Sequence, residues 1–325
     1  MAPSITEPPP PQVQEDLDRL RAALDERIPR RKVDGNLLVA TWNLRAFGGL
    51  TEKWDADESD TPKRDLHALL CIAEVVSRFD VVAIQEVKGN IKALRHLLRS
   101  LGDDWGLILT DVTKGRPGND ERMAFVFDTR RLRPSGLACE VVLPHEVRDI
   151  KIDVDNALDQ FARTPYAVSF LATGRGFRQT FVLLTLHVLY GRRPERQAEL
   201  AALADWAADM ARDMNAYHQN LIVLGDFNIE KKGDPLWEAF CSTGLRVPPE
   251  LEGFSRTLPT GQKVNFYDQI AWFTGENGVP ALSLRYNDRG GNFDFFDLVF
   301  KGLDAETLSW KMSDHYPLWV EFLTR

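Results

Sequence analysis

Cysteine is scarce in this chain. Only Cys71, Cys139 and Cys241 occur, far apart and odd in number, with no CxxC pair and no Cys/His cluster. That spacing excludes a zinc cage and a disulfide framework, and leaves buried free thiols as the expectation. Long apolar runs are also missing: no stretch approaches the roughly 18 residues that would cross a bilayer, which argues against stable membrane insertion. The opening residues MAPSITEPPPPQ lack the basic-then-apolar pattern of a secretory signal. A soluble, cytoplasmic protein is expected. Positive charge is in deficit too, with 40 Lys and Arg against 48 Asp and Glu, a formal net charge of -8. Strong nonspecific attraction to nucleic acid is therefore disfavoured, since that attraction comes from cationic side chains displacing counterions. A nuclease is not excluded, because a carboxylate cluster that holds a cation presents a positive field to a phosphate.

The chain has 325 residues, 44% of them hydrophobic, enough for a large core. Pro8 to Pro11 read as an extended tail. From Gln12 to Arg31, Leu17, Leu20, Leu24 and Ile28 recur on one helical face. This helix is expected to dock on the domain; the alternative is a helix that binds a partner or self-associates. Residues 1–35 thus form a tail and amphipathic helix, and 36–325 a single α/β domain without repeat or linker. Strand-like runs fall at 37–41, 81–84, 105–109, 123–127, 166–171, 181–186, 221–224, 265–273 and 318–322. Helical patterns follow Pro62 and cover 91–100 and 194–217.

Five apolar strands end in polar residues: Trp42-Asn43, Gln85-Glu86, Leu186-His187, Gly225-Asp226-Phe227-Asn228 and Ser313-Asp314-His315. Taken singly, each has an ordinary reading as a solvated or structural residue. Their shared position is informative, because strand ends are where a rigid sheet presents functional groups. Glu86, Asp226 and Asp314 offer the hard oxygen ligands that magnesium takes, and Asn43 and Asn228 add neutral groups that orient water or phosphate. Two histidines, His187 and His315, suit the two proton transfers of phosphodiester hydrolysis. Asp268 is a candidate to fix the tautomer of a histidine base.

TWNLRAFG, VVAIQEVKGN, FARTPY, LLTLHVLYG, LIVLGDFNIE, NFYDQIAW and SDHYPLWVEF, in that order, resemble the successive signature blocks of the DNase I-like endonuclease/exonuclease/phosphatase superfamily. The likeness spans Leu37 to Phe322, with GDFN and SDHYP its most specific segments. It implies a four-layered α/β/β/α sandwich, two packed, mainly antiparallel sheets flanked by helices. It also implies a dependence on Mg2+, with Mn2+ or Ca2+ as alternatives. Carried over residue by residue, the metal-binding set is Glu86, Asn43, Asp314 and Asp226. Asp226 and Asn228 match the pair that orients nucleophile and phosphate, and His315 with Asp268 resembles the base and its partner. His187 resembles the second catalytic histidine, and Asp111 stands where a supporting carboxylate is expected. Arg163 resembles a phosphate-contacting arginine, Arg122 is a second such contact, and Asn43 also faces substrate.

No PAWCDR-like segment precedes Asp268, and Leu224 rather than tryptophan precedes GDFN, which lowers the inositol phosphatase branch. His187 stands where apurinic endonucleases carry tyrosine. The DNase I branch is nearest, down to the FDF at Phe293 to Phe295, although its cysteines have no counterparts beside Asn228 or Asp268. DNA is the expected substrate, hydrolysed as by an endonuclease; a small or lipid-linked phosphoester is the alternative. Three loops would choose between them, 47–62, 114–122 and 285–296, the first carrying the acidic Trp54 to Glu58 stretch.

Overall fold

The computed structural model describes residues 3–114, 119–142, 161–174, 177–213, 220–259 and 265–324. In chain order the strands are β1 (Asn36–Phe47), β2 (Val81–Lys88), β3 (Trp105–Leu109), β4 (Glu121–Asp128), β5 (Leu132–Glu140) and β6 (Tyr166–Gly174). They continue with β7 (Phe177–His187), β8 (Leu221–Asp226), β9 (Leu245–Arg246), β10 (Asp268–Phe273), β11 (Arg285–Asn292) and β12 (Leu318–Leu323). The helices are α1 (Pro11–Arg27), α2 (Leu66–Val76), α3 (Lys92–Leu101), α4 (Arg193–Arg212), α5 (Pro235–Cys241) and α6 (Ala305–Lys311). Two six-stranded sheets result, ordered β11-β12-β1-β2-β4-β3 and β5-β6-β7-β8-β10-β9.

Each sheet has one parallel pair at its centre, β1 with β2 and β7 with β8, and its other ladders among the described residues are antiparallel. A parallel pair needs a crossover, and α2 and α4 supply them. Alternation along β1 shows why four layers form. Leu37 and Val39 enter the core between the sheets, while Leu38, Ala40, Trp42 and Leu44 face the layer of α1, α2 and α3. On the far side, Leu200, Leu203, Ala204, Ala207 and Ala208 lay α4 onto the second sheet. Small alanines let that helix approach closely. The expected α/β/β/α sandwich is the observed one.

Several boundaries differ from the sequence reading. Pro11 opens α1 instead of belonging to the tail, since its missing N–H is no loss at a first helical position. β10 begins at Asp268, not at residue 265. Residues 285–296, read as a loop, begin with edge strand β11, whose RYNDRGGN sequence has no apolar face to reveal it. The last turn of the helical pattern at 194–217 and much of the 114–122 loop lie outside the described residues.

α1 is part of this packing. Val13, Leu17, Leu20, Leu24 and Ile28 are buried in the same core as α2 and β1, and Ile5 joins them. Asp16 accepts from the Phe300 backbone N–H at 2.7 Å, and Arg19 Nε donates to Leu298 O at 2.7 Å. The helix therefore braces the segment before α6. Leu20→Ala is expected to lower the unfolding free energy by about 2–5 kcal/mol in urea titration. A loss under about 0.5 kcal/mol, the range of neutral surface changes, would mean that α1 is undocked in solution.

Candidate active site

Strand register builds half of the site. His187 lies beside Asp226 across the parallel β7–β8 pair, and Asp226 lies opposite Asp268 across β8–β10, so three adjacent strands end at one level. Gly225 is required there: with φ of 146°, a Cβ would lie 2.1 Å from Leu186 O. The first sheet ends at the same level, with Asn43 beside Gln85. Register shifts follow in both strands, and Ala46 and Glu86 take φ of 47° and 60°. This bulge turns the Glu86 carboxylate back over β1, where Oε2 accepts from Ala46 N at 2.8 Å. Asp314 and His315 arrive just before β12, anchored because Ser313 Oγ donates to Asn43 O at 2.6 Å and Trp42 Nε1 donates to His315 O at 2.8 Å.

Asp226 sits at the centre. Its Oδ2 accepts from Asn43 Nδ2 at 2.9 Å and lies 3.5 Å from His187 Nε2 and 3.9 Å from His315 Nε2. Its Oδ1 accepts from Asn228 N at 2.9 Å, with Asn228 itself at φ of 49°. The Asn228 amide donates to Val188 O at 2.7 Å, which ties the end of β8 to that of β7. Asn43 Nδ2 also donates to Glu86 Oε1 at 3.2 Å. Asn43 Oδ1 is thereby turned away, buried and without a hydrogen-bond partner among the described residues.

Each histidine has a carboxylate on Nδ1. His315 Nδ1 stands 2.6 Å from Asp268 Oδ2, and Asp268 is fully buried. Burial disfavours the His315 cation, but the charges of Asp268, Asp226 and Asp314 outweigh it and hold the imidazole well above the usual histidine range. For His187 the carboxylate is Glu121, not Asp111. Glu121 Oε2 lies 3.2 Å from His187 Nδ1 and 2.8 Å from Arg163 Nε, while Oε1 accepts from Lys88 Nζ at 2.7 Å. Burial would raise the Glu121 carboxyl; His187, Arg163 and Lys88 win and bring it to about 2. Asp111 is solvent-exposed, and its carboxylate accepts from the neighbouring Val112 N–H. The missed signal was a carboxylate opening an apolar strand, immediately before Arg122.

Arg163 and Arg122 line one small cleft with His187, Glu121 and Met123. Arg163 Nη1 is buried there with no hydrogen-bond partner among the described residues. Glu86, Asp314 and the orphaned Asn43 Oδ1 present hard oxygen donors suited to magnesium, which takes one or two carboxylates and fills the rest of its shell with water and phosphate. Among the described residues no three His, Cys, Asp or Glu side chains form a complete cage.

Glu199 carries no signal in the sequence. It is buried on α4, and that burial pushes its carboxyl up to about 7, against the Ala162 and Leu189 backbone amides and the charges of Arg163 and His187. A carboxyl raised in the fold favours the folded state below its unfolded pKa, and that contribution is lost as pH rises through about 7. Glu199→Gln is expected to remove a stability decline on the order of 2–3 kcal/mol between pH 5 and 8. Equal pH slopes in the two proteins, measured by urea unfolding, would refute this.

The Endonuclease/Exonuclease/phosphatase family profile matches residues 40–315. No curated protein matches the sequence. Among solved structures, the Bacteroides thetaiotaomicron mannosyl-6-phosphatase is 17% identical, with a TM-score of 0.56 over 88% of this chain and 99% of that one. The human Nocturnin catalytic domain with bound sulfate is 16% identical, TM-score 0.56, over 89% and 95%. D. rerio TDP2 complexed with a single-strand DNA product is 12% identical, TM-score 0.52, over 88% and 98%. At these identities the likenesses show the fold. The profile, matching most of the chain, shows more: this protein belongs to the endonuclease/exonuclease/phosphatase family, divalent-metal-dependent hydrolases of phosphoester bonds.

Proposed function

We propose that the chain is a magnesium-dependent DNA phosphodiesterase of the DNase I type, cutting as an endonuclease. The observation that carries this reading is that His187 Nε2 and His315 Nε2 both face Asp226 Oδ2, at 3.5 and 3.9 Å. Each ring is held from behind by a carboxylate, so both working nitrogens address one point. In-line hydrolysis forms a bond from a water oxygen to phosphorus and breaks the bond to the leaving oxygen. The proton from water goes to His315 Nε2, and His187 Nε2–H supplies one to the leaving oxygen. Asp226 orients the water between them, and Arg163 and Arg122 contact the phosphate. Glu86, Asn43, Asp314 and Asp226 would hold the cation, which when bound neutralises phosphate charge and lowers the proton affinity of His315. Manganese and calcium are the alternative ions.

A neighbour of the same fold that holds a DNA product is compatible with this substrate. The second reading, a small or lipid-linked phosphoester, is favoured by the net charge of -8 and by the phosphatase neighbour. The 47–62 loop carries exposed carboxylates at Asp55, Asp57 and Glu58, which would repel a DNA backbone that approached them.

Supercoiled plasmid with Mg2+ is expected to be nicked, and EDTA to abolish nicking. His315→Ala, His187→Ala and Asp226→Ala should each slow it by about 10²–10⁴-fold. Retention of near wild-type rate in any of the three would sink the assignment. Hydrolysis of bis-p-nitrophenyl phosphate without plasmid nicking would transfer the mechanism to the second reading. Glu121→Gln removes the anion behind His187 and is expected to cost roughly 10- to 1000-fold in the same assay. Asp111→Asn should leave the rate within about twofold, the behaviour of surface positions away from such features.

A further inference from the structure

Arg64 is 2% exposed, the only arginine besides Arg256 among the largest fully buried side chains described. No carboxylate pairs with it among the described residues. Its guanidinium donates instead to four backbone carbonyls: Nη2 to Arg45 O at 2.8 Å and to Met312 O at 2.9 Å, Nε to Lys311 O at 3.0 Å, and Nη1 to Ala46 O at 3.3 Å. Asp65, next in sequence, is engaged elsewhere, capping α2 through Ala68 N and accepting from Ala56 N and from Lys311 Nζ. The four acceptors belong to two segments far apart in sequence. Arg45 and Ala46 lie in the bulge of β1 after Asn43, and the Ala46 N–H holds Glu86. Lys311 and Met312 close α6, where the last carbonyls of a helix lack partners, and Met312 stands two residues before Asp314.

We infer that Arg64 is a positioning residue for the candidate metal centre, its planar fork fixing the Glu86-bearing side of the site against the Asp314-bearing side. A guanidinium suits this task because its donors diverge in one rigid plane and reach both segments at once, which a lysine ammonium on a flexible stem does not. The charge is also placed to matter. Burial lowers the Arg64 pKa to about 10, and the carboxylates that work against that burial are Glu86 first and Asp314 second. The buried cation thus lies close enough to feel both candidate metal carboxylates and offsets part of their mutual repulsion.

This inference rests on the proposed metal site, and calorimetry with the metal alone separates the two. Full-length wild type, Arg64→Lys, Arg64→Met and Glu86→Gln are titrated with Mg2+ and Mn2+, after circular dichroism confirms that each is folded. Wild type is expected to bind, Glu86→Gln to lose binding, and Arg64→Lys to bind at least about tenfold more weakly although it keeps the charge. An arginine that only stabilised the fold would lower the melting temperature and leave the metal affinity of the folded molecules unchanged. Wild-type affinity in Arg64→Lys would therefore overturn the positioning role while leaving the metal site in place. Absence of binding by wild type, or binding undiminished in Glu86→Gln, would overturn the metal site and the inference with it. Should Arg64→Met fail to fold, Arg64→Lys decides alone.

Discussion

The contact on which the site depends is the Asn43 amide, which donates to Glu86 from one sheet and to Asp226 from the other. Two carboxylates on facing sheets repel, and a shared neutral donor is what lets them stand within reach of the same ligand. Because both N–H bonds of the amide go to carboxylates, its oxygen is left buried and without a hydrogen-bond partner among the described residues. A second cross-sheet tie lies beneath: Gln85 Nε2 donates to Thr41 Oγ1 at 3.1 Å and to Thr185 Oγ1 at 2.9 Å. Both ties sit where each sheet's parallel pair ends. The crossover helices lie at the sheet faces and leave that edge open for polar groups.

The two histidines share a geometry but differ in surroundings. His315 is paired with a carboxylate from which water is excluded, and Arg256, itself buried, donates to the Asp268 backbone carbonyl at 3.1 Å. Tyr267 stacks on the imidazole with ring centroids 5.9 Å apart. His187 belongs instead to a cluster in which Glu121 meets Lys88 and Arg163 as well, so that its carboxylate stays ionised through the physiological range. The carboxylate behind one ring lies in a dry pocket, and the carboxylate behind the other is shared with two cationic side chains.

Backbone conformation carries part of the design. Ala46, Glu86 and Asn228 all have positive φ, a conformation costly for side chains other than glycine and retained where surroundings over-determine it. Each is followed by a bond that explains it: the Glu86 carboxylate on the Ala46 amide, the Asn228 amide on Val188 O, and the Asp226 carboxylate on Asn228 N.

What was legible in the sequence follows from local rules. Apolar runs that stop at a polar residue mark where a buried strand reaches the edge of the core, so the strand-end residues Asn43, Glu86, His187, Asp226 and His315 were visible one by one, and the structure brings them together. The pairing of Asp268 with His315, expected from sequence, is present in the geometry, 47 positions apart in the chain. At the start of β4 the pattern gives no signal. Glu121 opens β4 and meets His187 only because sheet packing sets the two strands face to face, whereas Asp111, the carboxylate that the resemblance suggests, is exposed. Glu199 and Arg64 were invisible for the same reason: their burial, and hence the energy of their charges, is created by segments distant in sequence. By itself the sequence determined which residues end strands and which faces are apolar, because side-chain alternation is local. Tertiary structure alone decided which carboxylate backs which histidine and which charges are dry, because those depend on how the two sheets face each other.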